Sequence, residues 1–373
     1  MRIVIDYRPA LRARTGVGEY VHQTVRAIAT SDGQDEVTLF TSSWADRPPP
    51  SLSAEFPHAR VVDRRIPVSV LNLLWHRVER PSIEILTGRT FDVAHSPHPL
   101  LLPSQSAAQV ITIHDLHFLS HPERTSREIR RDYPALVADH ARRADRIIVS
   151  SQFGASEVAG TLGVDAGKIS VCRAGVPGWA TGLNGGDLDG YLLFVGTLDS
   201  RKNIGGLLDA YQQLLSRRGN VPKLVMVGSA TAEAAEWLER IEKPPLAGRV
   251  EHLGYVPSER IASVFQGARM LLMPSFEEGF GIPALEAMAV GVPVIAGDRG
   301  SLPEVVEDAG LLIDPAAPDA LAAAVERLLD DPTLWENLRR LGQTRARLFS
   351  WEQTARDVRH AYELAIAAHA HRH

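Results

Sequence analysis

Lysine and cysteine are the scarce residues of this 373-residue chain. A single cysteine, Cys172, excludes an internal disulfide framework and any zinc site built from thiolates, and a reducing, cytoplasmic setting is expected. Its context, "ISVCRAG", reads as a buried strand thiol rather than a nucleophile. No strong positive balance is present: the net charge of -5 argues against a dedicated nucleic-acid binder, because affinity for a phosphate backbone rests on clustered cations. Apolar runs stay well short of the ~18 residues that span a bilayer, so any membrane contact is expected to be peripheral, at the inner face. The opening "MRIVIDYRP" is interrupted by Asp6 and reads as a first strand rather than a signal peptide. No internal repeat of fixed period is found.

At 45% hydrophobic and 23% charged, the chain has enough apolar content for two domains, each with its own core. Short β-branched runs alternate with amphipathic stretches. "RIVID" precedes residues 18–29, where Tyr20, Val21, Val25 and Ile28 share one helical face. "EVTLF", "DVAHS", "AQVITIH", "DRIIVS" and "KISVC" continue as near-unbroken apolar strands, the pattern of a parallel sheet covered on both faces. Periodicity is lost over 177–190, a Gly-, Pro- and Asp-rich stretch expected to be an exposed linker. It restarts with "YLLFVG", "KLVMVG", "RVEHLG", "ARMLLMP", "PVIAG" and "GLLID". Two doubly wound domains are expected, 1–180 and 190–350, with a cleft implied between them. A helix over 352–373 belongs to either domain, and its last residues, "HAHRH", are expected to fray.

The most informative stretch is "PSFEEGFGIPALEAMAVGVPVIAG", residues 274–297. A strand ends in a turn carrying Gly279 and Gly281, and Pro283 opens a helix, a position where the missing N–H of proline costs nothing. Free amides and the helix dipole make such a turn an anion site. Glu278 lies before it and Glu286 one turn into the helix, so two carboxylates stand on either side to accept hydrogen bonds from sugar hydroxyls. As a bare pair at that spacing, the acids read more readily as solvated residues; the wider match reverses this.

That stretch resembles the E-x7-E signature of the family 4 glycosyltransferases, retaining nucleotide-sugar-dependent enzymes of the GT-B fold. "SLPEVVEDAGLLIDP", "RTGVGEYV", "ITIHDL", "RIIVSSQFGASEVAGTLGV", "FVGTLDSRKNI" and "LGYVPSERIASVFQGA" extend the resemblance over most of the chain. It implies an α/β architecture of two Rossmann-like, doubly wound parallel-sheet domains facing across a cleft. The first would hold the acceptor and the second the donor. It also implies the site: Glu278 on the sugar, Glu286 on the ribose, and Arg201, Lys202 and the amides near Gly279, Phe280, Gly281 and Ile282 on the diphosphate. His114 would lie near the reacting carbon, Gly16 and Gly18 in a loop approaching the diphosphate, and Gly228, Tyr255 and Val256 around the base. The family commonly carries Arg where Thr197 stands; Arg201 is the cation available in its place.

By residues alone these positions have plainer readings. Lys202, one of only four lysines, is as readily a solvated cation, His114 a core residue at a strand end, and Gly16 and Gly18 a tight turn. Val21 stands where a dinucleotide fingerprint needs its third glycine, which counts against a nicotinamide-dependent oxidoreductase. A non-catalytic nucleotide-sugar- or carbohydrate-binding protein of the same fold stays open, and donor hydrolysis would separate it from an enzyme. "DLD" at 187–189 matches a short metal-binding motif but lies in the expected linker with no strand before it, and His95, His98 and His117 lack complete metal-ligand spacing, so no metal and no cofactor beyond the nucleotide sugar is expected. Arg124, Arg127, Arg130, Arg131, Arg142, Arg143 and Arg146 read as a solvated basic face interrupted by Pro134, with anionic lipid contact as the lesser reading. The resemblance implies a metal-independent hexosyltransferase acting on a glycan, lipid-linked or small-molecule hydroxyl, with mannose from GDP-mannose as first choice.

Overall fold

The computed structural model describes residues 1–11, 16–30, 35–122 and 127–372. The chain forms two compact units, Met1–Gly175 with Ser350–His373, and Val176–Phe349.

In unit 1 the apolar runs become β1 (Arg2–Asp6), β2 (Glu36–Thr41), β3 (Ala59–Asp63), β4 (Val93–Ser96), β5 (Ala108–Thr112), β6 (Arg146–Val149) and β7 (Ile169–Val171). They pair in the order β3-β2-β1-β4-β5-β6-β7, every pair parallel. The inner strands are buried on both faces because helices cover both, which is why their sequences do not alternate. The covering helices include α1 (Val17–Thr30), α2 (Val68–Val78) and α3 (Arg127–Arg143). β3 was not expected: "ARVVD" pairs only with β2 and carries charge on an edge strand, so its apolar signal is weak.

Unit 2 contains β8 (Tyr191–Val195), β9 (Leu224–Val227), β10 (Val250–His252), β11 (Ala268–Met273), β12 (Val294–Gly297) and β13 (Gly310–Ile313). All are parallel, in the order β10-β9-β8-β11-β12-β13. Its helices include α4 (Ile204–Arg217) and α5 (Ile282–Val290). The final helix, α6 (Trp351–Arg372), returns to unit 1, where Ala355, Val358, Ala361, Tyr362 and Ala365 join the core around β1 and β5.

Three expectations need correction. Residues 177–190 are not a free linker: Gly185 N donates to Val290 O (2.7 Å), Asp187 N to Ala268 O (3.0 Å), and Trp179 stacks on Phe265, so the segment is packed onto unit 2. The C-terminal residues do not fray through Arg372, because His369 (3.3 Å) and Arg372 hold the buried Asp145 carboxylate from the last turn of α6. The basic stretch is not interrupted, as α3 runs through Pro134, and most of its described arginines are engaged. Arg131 binds Asp132, Arg143 binds Glu79 and Asp139, and Arg146 binds Ser170. Arg124 lies outside the described residues.

Candidate active site

In an open parallel sheet, ligands bind beyond the carboxyl ends of the strands where the strand order reverses. In unit 2 that point lies between β8 and β11, and the expected donor residues follow those two strands. After β8, Gly196 and the exposed Thr197 lead to Asp199, which caps the short 3-10 turn Ser200–Lys202. Its carboxylate accepts from Lys202 N (3.2 Å) and Arg201 Nε (3.2 Å), so one acid orients both cations. Asn203 then takes a left-handed conformation and caps α4 through Gly206 N.

Lys202 points inward. Its Nζ lies 2.5 Å from Glu278 Oε1, and the two residues are only 8% and 6% exposed. The same Oε1 accepts from the fully buried Ser275 hydroxyl at 2.8 Å, while Ser301 Oγ donates to the Glu278 carbonyl at 2.9 Å. Phe276 N donates to Arg201 O (2.8 Å), which ties the two loops together. Glu278 is thus held at its carboxylate and its backbone, opposite a single buried cation.

The turn beyond Glu278 is shaped by Gly281, whose φ of 97° is left-handed and whose added Cβ would meet Leu302 at 2.7 Å. Gly281 caps α5 with no side-chain hydrogen bond, so the first-turn amides starting at Ile282 have no side-chain acceptor from the cap. The Phe280 ring packs edge-on against Phe349 (5.9 Å), so Phe280 and Gly279 bring backbone to the turn. Glu286 is half-buried one turn along α5.

At the neighbouring strand ends, Gly228 has φ 140° and lies so close to Gly196 that a Cβ would stand 1.9 Å from its carbonyl oxygen. Gly228 N donates to Gly254 O and His252 Nε2 to Gly228 O, both at 2.8 Å. This backbone floor leads to Tyr255, 48% exposed, and the half-buried Val256.

In unit 1, His114 stands two residues past β5, edge-on to Tyr20 (5.2 Å). Burial draws its pKa down to about 4 against the pull of Asp115, so the ring is neutral near pH 7. A hydrogen bond to the Pro97 backbone leaves the buried Nε2 without a partner among the described residues. With the Nδ1–H given to that carbonyl, Nε2 carries the free lone pair and can accept from a hydroxyl. Gly18 lies inside α1 against Pro9 O, and the exposed Gly16 accepts from Tyr20 N ahead of it; residues 12–15 of that loop lie outside the described residues.

Sequence reasoning missed Asp199, Ser275 and Ser301, and in unit 1 the Asp6 cluster at the ends of β1 and β4. Burial alone would raise the Asp6 carboxyl, but Arg8, bonded to it at 2.6 and 2.8 Å, and His98 at 3.4 Å hold it well below the usual range. The only signal for Asp199 was an acid three residues before a lysine at a turn. Among the described residues no group of three or more His, Cys, Asp or Glu could hold a metal, and Asp187 of "DLD" instead accepts from Asp189 N in a turn.

Comparison with known proteins identifies the family. Residues 186–347 match the glycosyl transferases group 1 model and residues 14–177 the glycosyltransferase family 4 model. The O-antigen chain mannosyltransferase B of Escherichia coli is 31% identical, the match covering 98% of this chain and 100% of that one. A D-inositol 3-phosphate glycosyltransferase of Paenarthrobacter aurescens is 28% identical over 94% and 93% of the two chains. Among solved structures, sucrose-phosphate synthase from Thermosynechococcus elongatus shares the fold with a TM-score of 0.80 at 23% identity, over 99% and 100% of the chains. The chain accordingly belongs to the group 1, family 4 glycosyltransferases, and is a hexosyltransferase of the GT-B fold class built from two Rossmann-like parallel-sheet domains.

Proposed function

We propose that the chain transfers mannose, with retention of configuration, from GDP-mannose to a hydroxyl of a glycan or lipid-linked glycan on the cytoplasmic side of a membrane. The observation that carries the donor chemistry is the buried Lys202–Glu278 pair beside the uncapped start of α5. The choice of mannose is supported by the E. coli relative, which is named a mannosyltransferase of O-antigen chains.

In this reading the amides opening α5, with Arg201 and Lys202, bind the diphosphate and stabilise the charge that grows on it as the C1–O bond lengthens. Glu278 accepts from the sugar hydroxyls and steadies positive charge near C1. Glu286 binds the ribose, and the Gly228, Tyr255 and Val256 region takes the base. His114 Nε2 accepts from a hydroxyl of the transferred sugar. The acceptor oxygen bonds to C1 on the face the phosphate leaves, and its proton passes to the departing phosphate oxygen, giving GDP and the new glycoside. No metal and no further cofactor takes part.

The test is release of nucleoside diphosphate from GDP-mannose, UDP-glucose, ADP-glucose and dTDP-glucose, with and without a mannosylated acceptor. GDP release from GDP-mannose is expected, rising with acceptor, and falling by about a hundredfold or more in Glu278→Gln. The amide variant is the right probe because it keeps the side-chain volume and an acceptor oxygen for Lys202 Nζ and Ser275 Oγ, whereas Glu278→Ala would also open a cavity at the buried turn. An unaltered rate in Glu278→Gln removes that residue from the site, and turnover of another donor alone overturns GDP-mannose.

A further inference from the structure

The helix Pro332–Ala346 lies along α5, so close at Gly342 that an added Cβ would come within 3.3 Å of Met288. Its last turn carries Arg345, whose side chain is only 17% exposed. The guanidinium fork is used on several sides at once. Nη2 donates to Glu304 O (2.7 Å) and Nε to Val305 O (3.2 Å), in the short helix Leu302–Val306, and Nη2 also lies 2.6 Å from Glu307 Oε1. Carbonyls in the last turn of a helix lack intrahelical donors, so a cation there supplies what the backbone cannot. The chain leaves this helix through Glu307 at φ 48°, a conformation that persists in a residue other than glycine only where its surroundings fix it. The same guanidinium also covers the Phe349 ring, 5.1 Å from its centroid.

Both sets of contacts lead to the turn between Glu278 and α5. The helix Leu302–Val306 begins beside it: Ser301 Oγ donates to Glu278 O, and the fully buried Leu302 stands where a Cβ on Gly281 would have to go. Phe349 reaches the same turn by a second route, edge-on to Phe280, with each of the two residues 6% exposed. One side chain therefore braces the turn twice, through a helix that starts at Glu278 and through a pair of packed rings. What these supports fix is the backbone that aims the amides opening α5. Misplacing such donors by about 1 Å can cost on the order of a hundredfold in rate, even when the altered residue lies away from the chemistry. Only arginine combines the donor fork and the flat face that this bracing uses.

We propose that Arg345 is a positioning residue for the transfer reaction, holding the turn from Glu278 to Ile282 in the geometry that receives the donor diphosphate. This rests on the reading of that turn as the donor site and deepens it. The test compares wild type, Arg345→Met and Phe349→Leu in the full chain, well below the melting temperature of each, so that every molecule is folded. Hydrogen exchange over residues 274–286 needs no donor, and it is expected to quicken by about tenfold in Arg345→Met while the strands of unit 1 exchange as in wild type. Nucleoside diphosphate release is then followed from whichever sugar donor the wild type turns over best. The kcat is expected to fall about tenfold in Arg345→Met and about threefold in Phe349→Leu, which removes one of the two routes. Wild-type release from no donor at all is a failure of the donor reading alone, and the exchange rates still decide whether Arg345 holds the turn. Unchanged exchange over 274–286 in Arg345→Met overturns the proposal. So does an unchanged kcat in that variant beside an active wild type, even if its melting temperature drops, because Arg345 then stabilises a helix end and nothing more.

Discussion

Lys202 and Glu278 each justify the other's burial, and each would be expensive alone. In the proposed reaction the pair holds the cation ready for a diphosphate; Ser275 fixes the Glu278 carboxylate and Ser301 its backbone carbonyl. Ser275 should therefore act on rate rather than on nucleotide affinity. Ser275→Ala is expected to lower kcat about tenfold, to change the GDP dissociation constant less than about threefold, and to cost about 1–2 kcal/mol of stability. Steady-state kinetics with calorimetric titration of GDP separates these effects, and an unchanged kcat would leave Ser275 with a packing role only. Glu278 and Lys202 were singled out in the sequence through the family resemblance, since by residues alone each reads at least as readily as a solvated charge. Ser275 and Ser301 were not, because a loop serine is common. The Ser275 bond is local to the loop after β11, whereas the Ser301 bond exists only once that loop and the one after β12 have been brought together by strand pairing.

At the level of elements, strand order decides which loops meet. Twelve of the thirteen strands were readable as apolar runs, since parallel strands buried on both faces need no alternation. The exception, β3, is the edge strand whose Arg60 and Asp63 dilute the pattern. The segment 177–190 misled for a related reason: glycine and aspartate signal loop backbone whether that backbone is solvated or pressed against a neighbour. Gly228 shows how closely the carboxyl ends of the strands are set. Alanine there would place a methyl group 1.9 Å from Gly196 O at a φ of 140°. Gly228→Ala is expected to lower unfolding free energy by more than about 2 kcal/mol and to weaken GDP binding, measured by urea denaturation and titration; an unchanged midpoint would mean that the floor can move.

At the level of the whole molecule, the two units differ in continuity. Unit 2 is one stretch, Val176–Phe349, whereas unit 1 is completed only by α6. Tyr362 on that helix sits fully buried, its hydroxyl 2.7 Å from His95 Nδ1, and burial lowers the His95 pKa to about 3, so this contact joins two neutral groups inside the core. A fragment of residues 1–175 is expected to lack a cooperative thermal transition and to gain one when a peptide of residues 350–372 is added; residues 176–349 are expected to melt cooperatively alone. Calorimetry on the three samples checks this, and a sharp transition in the first fragment by itself would show that α6 is dispensable.

The late position of α6 also sets an order of events during synthesis. A ribosome adding roughly 5–20 residues per second takes on the order of ten to forty seconds to travel from Gly175 to Arg372, the last residue of α6. Throughout that interval the earlier-made sheet has its β1 and β5 face open where Val358, Ala361 and Tyr362 will lie. The second unit can fold first even though it is made second, and the nascent first unit is the part of the molecule that a chaperone would need to shield.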